Sequence, residues 1–178
     1  MENENTDQEK QKAALLEQIN SALEKLGSTT RWEKIPEGLE GNEILKDKII
    51  VMVDDVIEVL EALAPALTVV TEGKANFVHY KGQELKQLLD EILAYNPNII
   101  LLDYSLSKQL KGPQVMEALR TAGFNGETIG FTSDEAAVNE FKDRGASGCV
   151  KKNAAWPEKS IKGLKDLIDK KGNDNNHK

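Results

Sequence analysis

Residues 48–55 read KIIVMVDD, five apolar residues in a row closed by two aspartates. The run is too short for a buried helix and too continuous for a half-solvated strand. It reads as a strand covered on both faces, the habit of parallel sheets. Three later stretches have the same build: NIILLDYS over 98–105, TIGFTSD over 128–134 and GASGCVKKN over 145–153. In an open α/β sheet the ligand crevice lies outside the carboxyl ends of the strands. Asp54, Asp55, Asp103, Thr132 and Lys152 should therefore converge on one crevice. Three carboxylates, a hydroxyl and an ammonium together suit one divalent cation and one phosphoryl group.

Outward from these stretches, strand and helix patterns alternate from residue 47 onward, the sign of βαβ units on a parallel sheet. Strands are expected over 48–53, 77–80, 99–102, 128–131 and 148–150, and helices over 56–72, 83–93, 113–121, 134–143 and 157–170. Pro65 should kink the first of these helices and Gly73 should end it. Upstream, Thr6 and Glu9 have the form of a capping box, and a helix over 7–26 should stop at Gly27. Its apolar residues Leu16, Ile19, Leu23 and Leu26 make a narrow stripe, marginal in isolation. That spacing leaves open whether the helix packs on its own domain or pairs with another chain. Residues 28–46, with Pro36, Gly38 and Gly41, read as linker, and the polar 171–178, KGNDNNHK, as a disordered tail. The expected organisation is an N-terminal helix and linker over 1–46, one domain over 47–170 and the tail, with nothing left for an output module.

The 178 residues, 39% of them apolar, suffice for one domain with an extension. With 30 acidic against 23 basic residues the net charge is −7, which argues against affinity for the DNA backbone. Cys149 is the only cysteine, so no internal disulfide can form, and a reducing compartment is expected. No apolar run approaches the ~20 residues of a membrane span. The acidic start, MENENTDQEK, is no secretion signal. The expectation is a soluble, cytoplasmic protein with no membrane or DNA partner.

The ordered set of motifs over about 46–170 resembles the receiver domain of bacterial response regulators. The resemblance implies a flavodoxin-like doubly wound fold, five parallel strands in the order 2-1-3-4-5. It implies that Asp103 accepts a phosphoryl group from a sensor histidine kinase or phosphotransfer protein and that the product signals to a downstream protein target. Mg²⁺, a hard cation that keeps several waters, would be held by Asp54, Asp55, Asp103 and the Ser105 backbone carbonyl. Lys152 and Thr132 would meet the remaining phosphoryl oxygens, where the transition-state charge resides. The chain would then catalyse only its own phosphorylation and dephosphorylation. Ser105 and Asp134 match positions that shape how water reaches the acyl phosphate.

Each residue also has a plainer reading. Asp54 and Asp55 could merely cap the first domain helix, Lys152 competes with Lys151, and Thr132 competes with Ser133 and Asp134 as a helix cap. His79 and His177 lack a partner cluster for zinc. Lys159, Lys162 and Lys165 read as a solvated face. The pattern departs from the family at Ser107 and Asn153, which stand where prolines are common, at Gly112, one residue late, and at Cys149, which replaces an aromatic that reports on Thr132. With that route weakened, the N-terminal helix is the expected partner-binding or homodimerising element. Two rival functions remain: a phosphorylation-independent interaction module, and a Mg²⁺-dependent phosphohydrolase, which would want an acid at Ser105.

Overall fold

Each apolar run becomes a strand: β1 (Ile50–Asp54), β2 (Ala75–His79), β3 (Ile99–Asp103), β4 (Glu127–Thr132) and β5 (Gly148–Lys151). The computed structural model describes residues 2–36, 39 and 42–175. The strands pair in parallel, in the order β2-β1-β3-β4-β5. Among the described residues six helices accompany them: α1 (Glu2–Leu26), α2 (Ile57–Val70), α3 (Leu85–Leu93), α4 (Gly112–Thr121), α5 (Glu135–Asp143) and α6 (Pro157–Asn175).

Side chains alternate across a strand, so one apolar run feeds two cores. Ile50, Met52, Ile99 and Leu101 point to a cluster shared with α1, α2 and α6. Val51, Val53, Ile100 and Leu102 point to a cluster shared with α3, α4 and α5. Both faces are covered, and the fold is flavodoxin-like. α2 continues on both sides of the buried Pro65.

α1 begins at Glu2, not at residue 7, so Thr6 lies inside the helix and not at its first position. The Glu, Lys and Gln residues around it favour helix and carry no stop, which lets the helix run past the capping pattern. Its other end is where the sequence places it. Gly27 takes φ +81°, and Ser28 N–H reaches back to the Leu23 carbonyl at 3.0 Å. This is the glycine-dependent closure that satisfies the last carbonyls of a helix.

The apolar stripe of α1 packs on its own domain. Ile19 and Leu23 are fully buried and Leu26 nearly so, in one cluster with Leu63, Leu67 and Phe77. Polar contacts fix the helix there: Ser28 donates to Glu61, and Lys81 Nζ donates to the Leu26 carbonyl at 3.4 Å. Gln18 lies over Gly73, where any Cβ would meet its side-chain oxygen at 2.0 Å. The connecting segment is tied as well, since the Asn20 amide exchanges two hydrogen bonds with the Trp32 backbone at 2.8 and 2.9 Å. The boundary expected near residue 46 therefore does not divide the core.

The expected tail is also corrected in part, because α6 continues to Asn175. Lys171 pairs with Glu127 on β4 and holds the added turn against the sheet. Gly38, Gly41 and His177 lie outside the described residues.

Candidate functional site

The carboxyl ends of β1, β3 and β4 bring Asp54, Asp103 and Thr132 into one layer, and the chain leaving β5 adds Lys152. The register aligns Val53 with Leu102, Asp103 with Phe131, and Thr132 with Lys151. Asp54 is fully buried, and Asp103 and Thr132 are each 6% exposed. Single ligand oxygens of Asp54, Asp55 and Asp103 lie within 4.8 Å of one another.

Lys152 closes this acidic group. Its ammonium sits 2.6 Å from Asp54 Oδ2 and 2.9 Å from Asp103 Oδ1. The neighbouring Lys151 is exposed. The other carboxylate oxygens meet backbone: Val56 N–H donates to Asp54 Oδ1 at 2.9 Å and Ser105 N–H donates to Asp103 Oδ2 at 2.8 Å. No side chain caps α2, whose N-cap position is Val56. Asp134 caps α5 through Ala136 N–H at 2.8 Å, while Thr132 Oγ1 accepts from Asp134 N–H at 3.2 Å. Thr132 is thus not the helix cap. Ser105 is exposed beside Asp103.

Charge in this layer is under tension. Burial pushes the Asp54 carboxyl up to about 6, against the opposing pull of Lys152. Burial and the nearby Asp103 also raise Asp55. Lys152 is raised in spite of its burial, because Asp54 and Asp103 bond to its charged form. A divalent cation fits such a donor set, which offers three hard oxygens and an excess of negative charge.

One consequence can be measured on metal-free protein. A carboxyl raised from 3.8 to about 6 binds its proton more tightly in the fold than in the unfolded chain. Its contribution to stability is therefore lost as pH rises across that interval. Asp54→Asn has no such proton and should gain stability relative to the parent as pH climbs through about 6. Denaturant unfolding at a series of pH values reads this; a constant difference between the two proteins contradicts it.

Two neighbours were not foreseen from sequence. His79, at the end of β2, places Nε2 3.0 Å from the Asp55 carbonyl. A lone histidine carries no local signal, although the alignment of β1 with β2 sets it directly opposite Asp54. Tyr104, next after Asp103, donates its hydroxyl to Glu140 on α5 at 2.6 Å and accepts from Lys111 at 2.8 Å. Cys149 is half-buried on β5, and burial pushes its thiol up. Lys159 lies over the Trp156 ring at 5.2 Å, and Lys162 is exposed.

No family model matches the chain, and no curated protein matches it. Solved structures do. A mutant of the receiver domain of the histidine kinase CKI1 from Arabidopsis thaliana superposes with a TM-score of 0.55 at 15% identity, covering 74% of this chain and 93% of that one. A DNA-binding response regulator of the LuxR family from Staphylococcus aureus gives 0.53 at 16% identity over 68% and 98%. The BeF3-activated DrrB receiver domain gives 0.50 at 21% identity over 67% and 96%. The chain has the fold of response-regulator receiver domains. Among the described residues no helix is long and apolar enough to cross a membrane.

Proposed function

We propose that this chain is a phosphoryl-accepting response regulator of the cytoplasm, modified on Asp103 and signalling through protein contacts. The observation that carries this is the Lys152 ammonium bridging Asp54 and Asp103 at the carboxyl end of the sheet. A half-buried lysine there does nothing for the core. Beside a nucleophilic carboxylate it supplies the fixed positive charge that phosphoryl transfer needs.

A carboxylate oxygen of Asp103 forms a P–O bond as the donor's P–N bond breaks and the electron pair leaves with the imidazole of a phosphohistidine. The donor is a sensor histidine kinase or phosphotransfer protein. The Ser105 N–H on Asp103 Oδ2 holds the carboxyl group in one orientation. Lys152 takes up charge on one phosphoryl oxygen as its contact with Asp103 loosens, and the Thr132 hydroxyl turns toward another. Mg²⁺, held by Asp54, Asp55, Asp103 and the Ser105 carbonyl, would neutralise charge on the phosphoryl group when bound. Ser105 offers no acid to activate water for rapid hydrolysis, which weighs against a phosphohydrolase.

Incubation with Mg²⁺ and acetyl phosphate should add one phosphoryl group to the intact mass. Asp103→Asn should abolish the gain. Undiminished labelling of the Asn variant places the nucleophile elsewhere.

A further inference from the structure

We infer that His79 is a positioning residue for the acidic pair, on the reading that Asp54 and Asp55 hold a divalent cation. The parallel ladder between β1 and β2 ends where Tyr80 N–H donates to the Asp54 carbonyl at 2.9 Å. The next carbonyl along, that of Asp55, is met by the His79 imidazole at 3.0 Å. A carbonyl only accepts, so Nε2 carries a proton and donates it to Asp55. Nδ1 is buried and has no partner among the described residues. The ring thus replaces a ladder rung one step beyond the strand and fixes the backbone that aims the Asp55 side chain. Such outer contacts orient metal ligands in general, and losing one costs roughly 10–100-fold in metal affinity.

The test uses full-length protein and Mg²⁺ alone, titrated by calorimetry. His79→Leu should weaken Mg²⁺ binding about tenfold, and His79→Gln, whose amide can donate to the same carbonyl, should restore most of it. Nitrogen NMR of the metal-free parent should show the proton on Nε2. Equal affinity of the Leu variant and the parent, Gln no better than Leu, or an Nε2 that carries no proton each overturns the role. A parent that binds no Mg²⁺ at all refutes the metal site first, and this role with it.

A second observation stands apart from the metal. The geometry points to Tyr104 as the route by which the state of Asp103 reaches α4 and α5, on the reading that Asp103 is phosphorylated. The family pattern puts a ring on β5, where this chain has Cys149. Here the rings lie elsewhere: Phe141 of α5 is fully buried over Gly130, where a Cβ would meet that ring at 2.5 Å, and Tyr104 packs edge-on against it at 6.1 Å. The Tyr104 carbonyl accepts from Gly112 N–H at the start of α4 at 2.8 Å. Its hydroxyl engages Glu140, which pairs with Arg144, which in turn pairs with Glu117 of α4. Any shift of the backbone beside Asp103 therefore pulls on two helices at once.

Hydrogen exchange over 135–143, with and without beryllofluoride as phosphoryl mimic, reads this coupling. The parent should show a change in protection there, and Tyr104→Phe should lose it while Asp103 is still labelled by acetyl phosphate. An equal change in both proteins, or none in the parent, overturns the route. Failure of the parent to be labelled refutes the phosphoacceptor reading itself, and the coupling with it.

Discussion

Lys152→Ala is expected to destabilise the metal-free protein by about 3–4 kcal/mol near neutral pH, because it strands a buried carboxylate. Asp54 is fully buried, and its carboxyl stands at about 6 even with the ammonium 2.6 Å away. Without Lys152 that value climbs further, so the folded variant must either hold an uncompensated charge or take up a proton the unfolded chain releases. The proton costs more as pH rises. The stability gap between parent and variant should therefore widen above about pH 6 and narrow below it. Mg²⁺ should narrow it as well, by supplying positive charge to the same oxygens. Lys151→Ala, at an exposed position, should change little. Urea unfolding of the three proteins on either side of pH 6 decides the matter. A larger loss from Lys151→Ala, or a gap that ignores pH, contradicts the electrostatic role of Lys152.

The second large effect concerns α1. Leu23→Ala should cost about 2–5 kcal/mol, the range for truncating a fully buried leucine. Removing residues 1–27 should be worse. It bares Ala66, Leu67 and Val70, buried residues of α2 in the cluster that Ile19, Leu23 and Leu26 join. Exposed apolar patches of that kind drive association. The truncated chain should be unfolded or aggregated, as seen by thermal melting and light scattering. A truncated protein that is monomeric and as stable as the parent would show α1 to be dispensable. Since the stripe is spent in the core, dimerisation through it requires undocking at a cost of the same order.

These two predictions also mark what was legible in the sequence. The strands could be read because parallel strands covered on both faces are continuous apolar runs. Their carboxyl ends could be read because each closes on a polar residue suited to one site. Asp54, Asp103, Thr132 and Lys152 come together in space for that reason, and only the register of the GASGCVKK motif favours Lys152, just past β5, over Lys151. The seating of α1 was less legible. A 3-4-3 spacing says that one face is buried, not against what. The missing clue lay in α2, IEVLEALAPALTVV, whose side chains are buried nearly all round from Leu63 to Val70. A helix that apolar needs cover on the side away from the sheet. The contacts of His79 and Tyr104 were not legible for a different reason. Their partners lie 24 and 36 residues away, at distances fixed by register and helix docking rather than by any local motif.

Asp103 is expected to become an acyl phosphate. Borohydride reduces such a mixed anhydride to an alcohol and so converts the aspartate that carried it to homoserine. After incubation with Mg²⁺ and acetyl phosphate, followed by borohydride and peptide mapping, the conversion should fall on Asp103 alone and should vanish when Mg²⁺ is chelated. Conversion at another aspartate, or none in a protein that is folded and binds Mg²⁺, would contradict the assignment of this site.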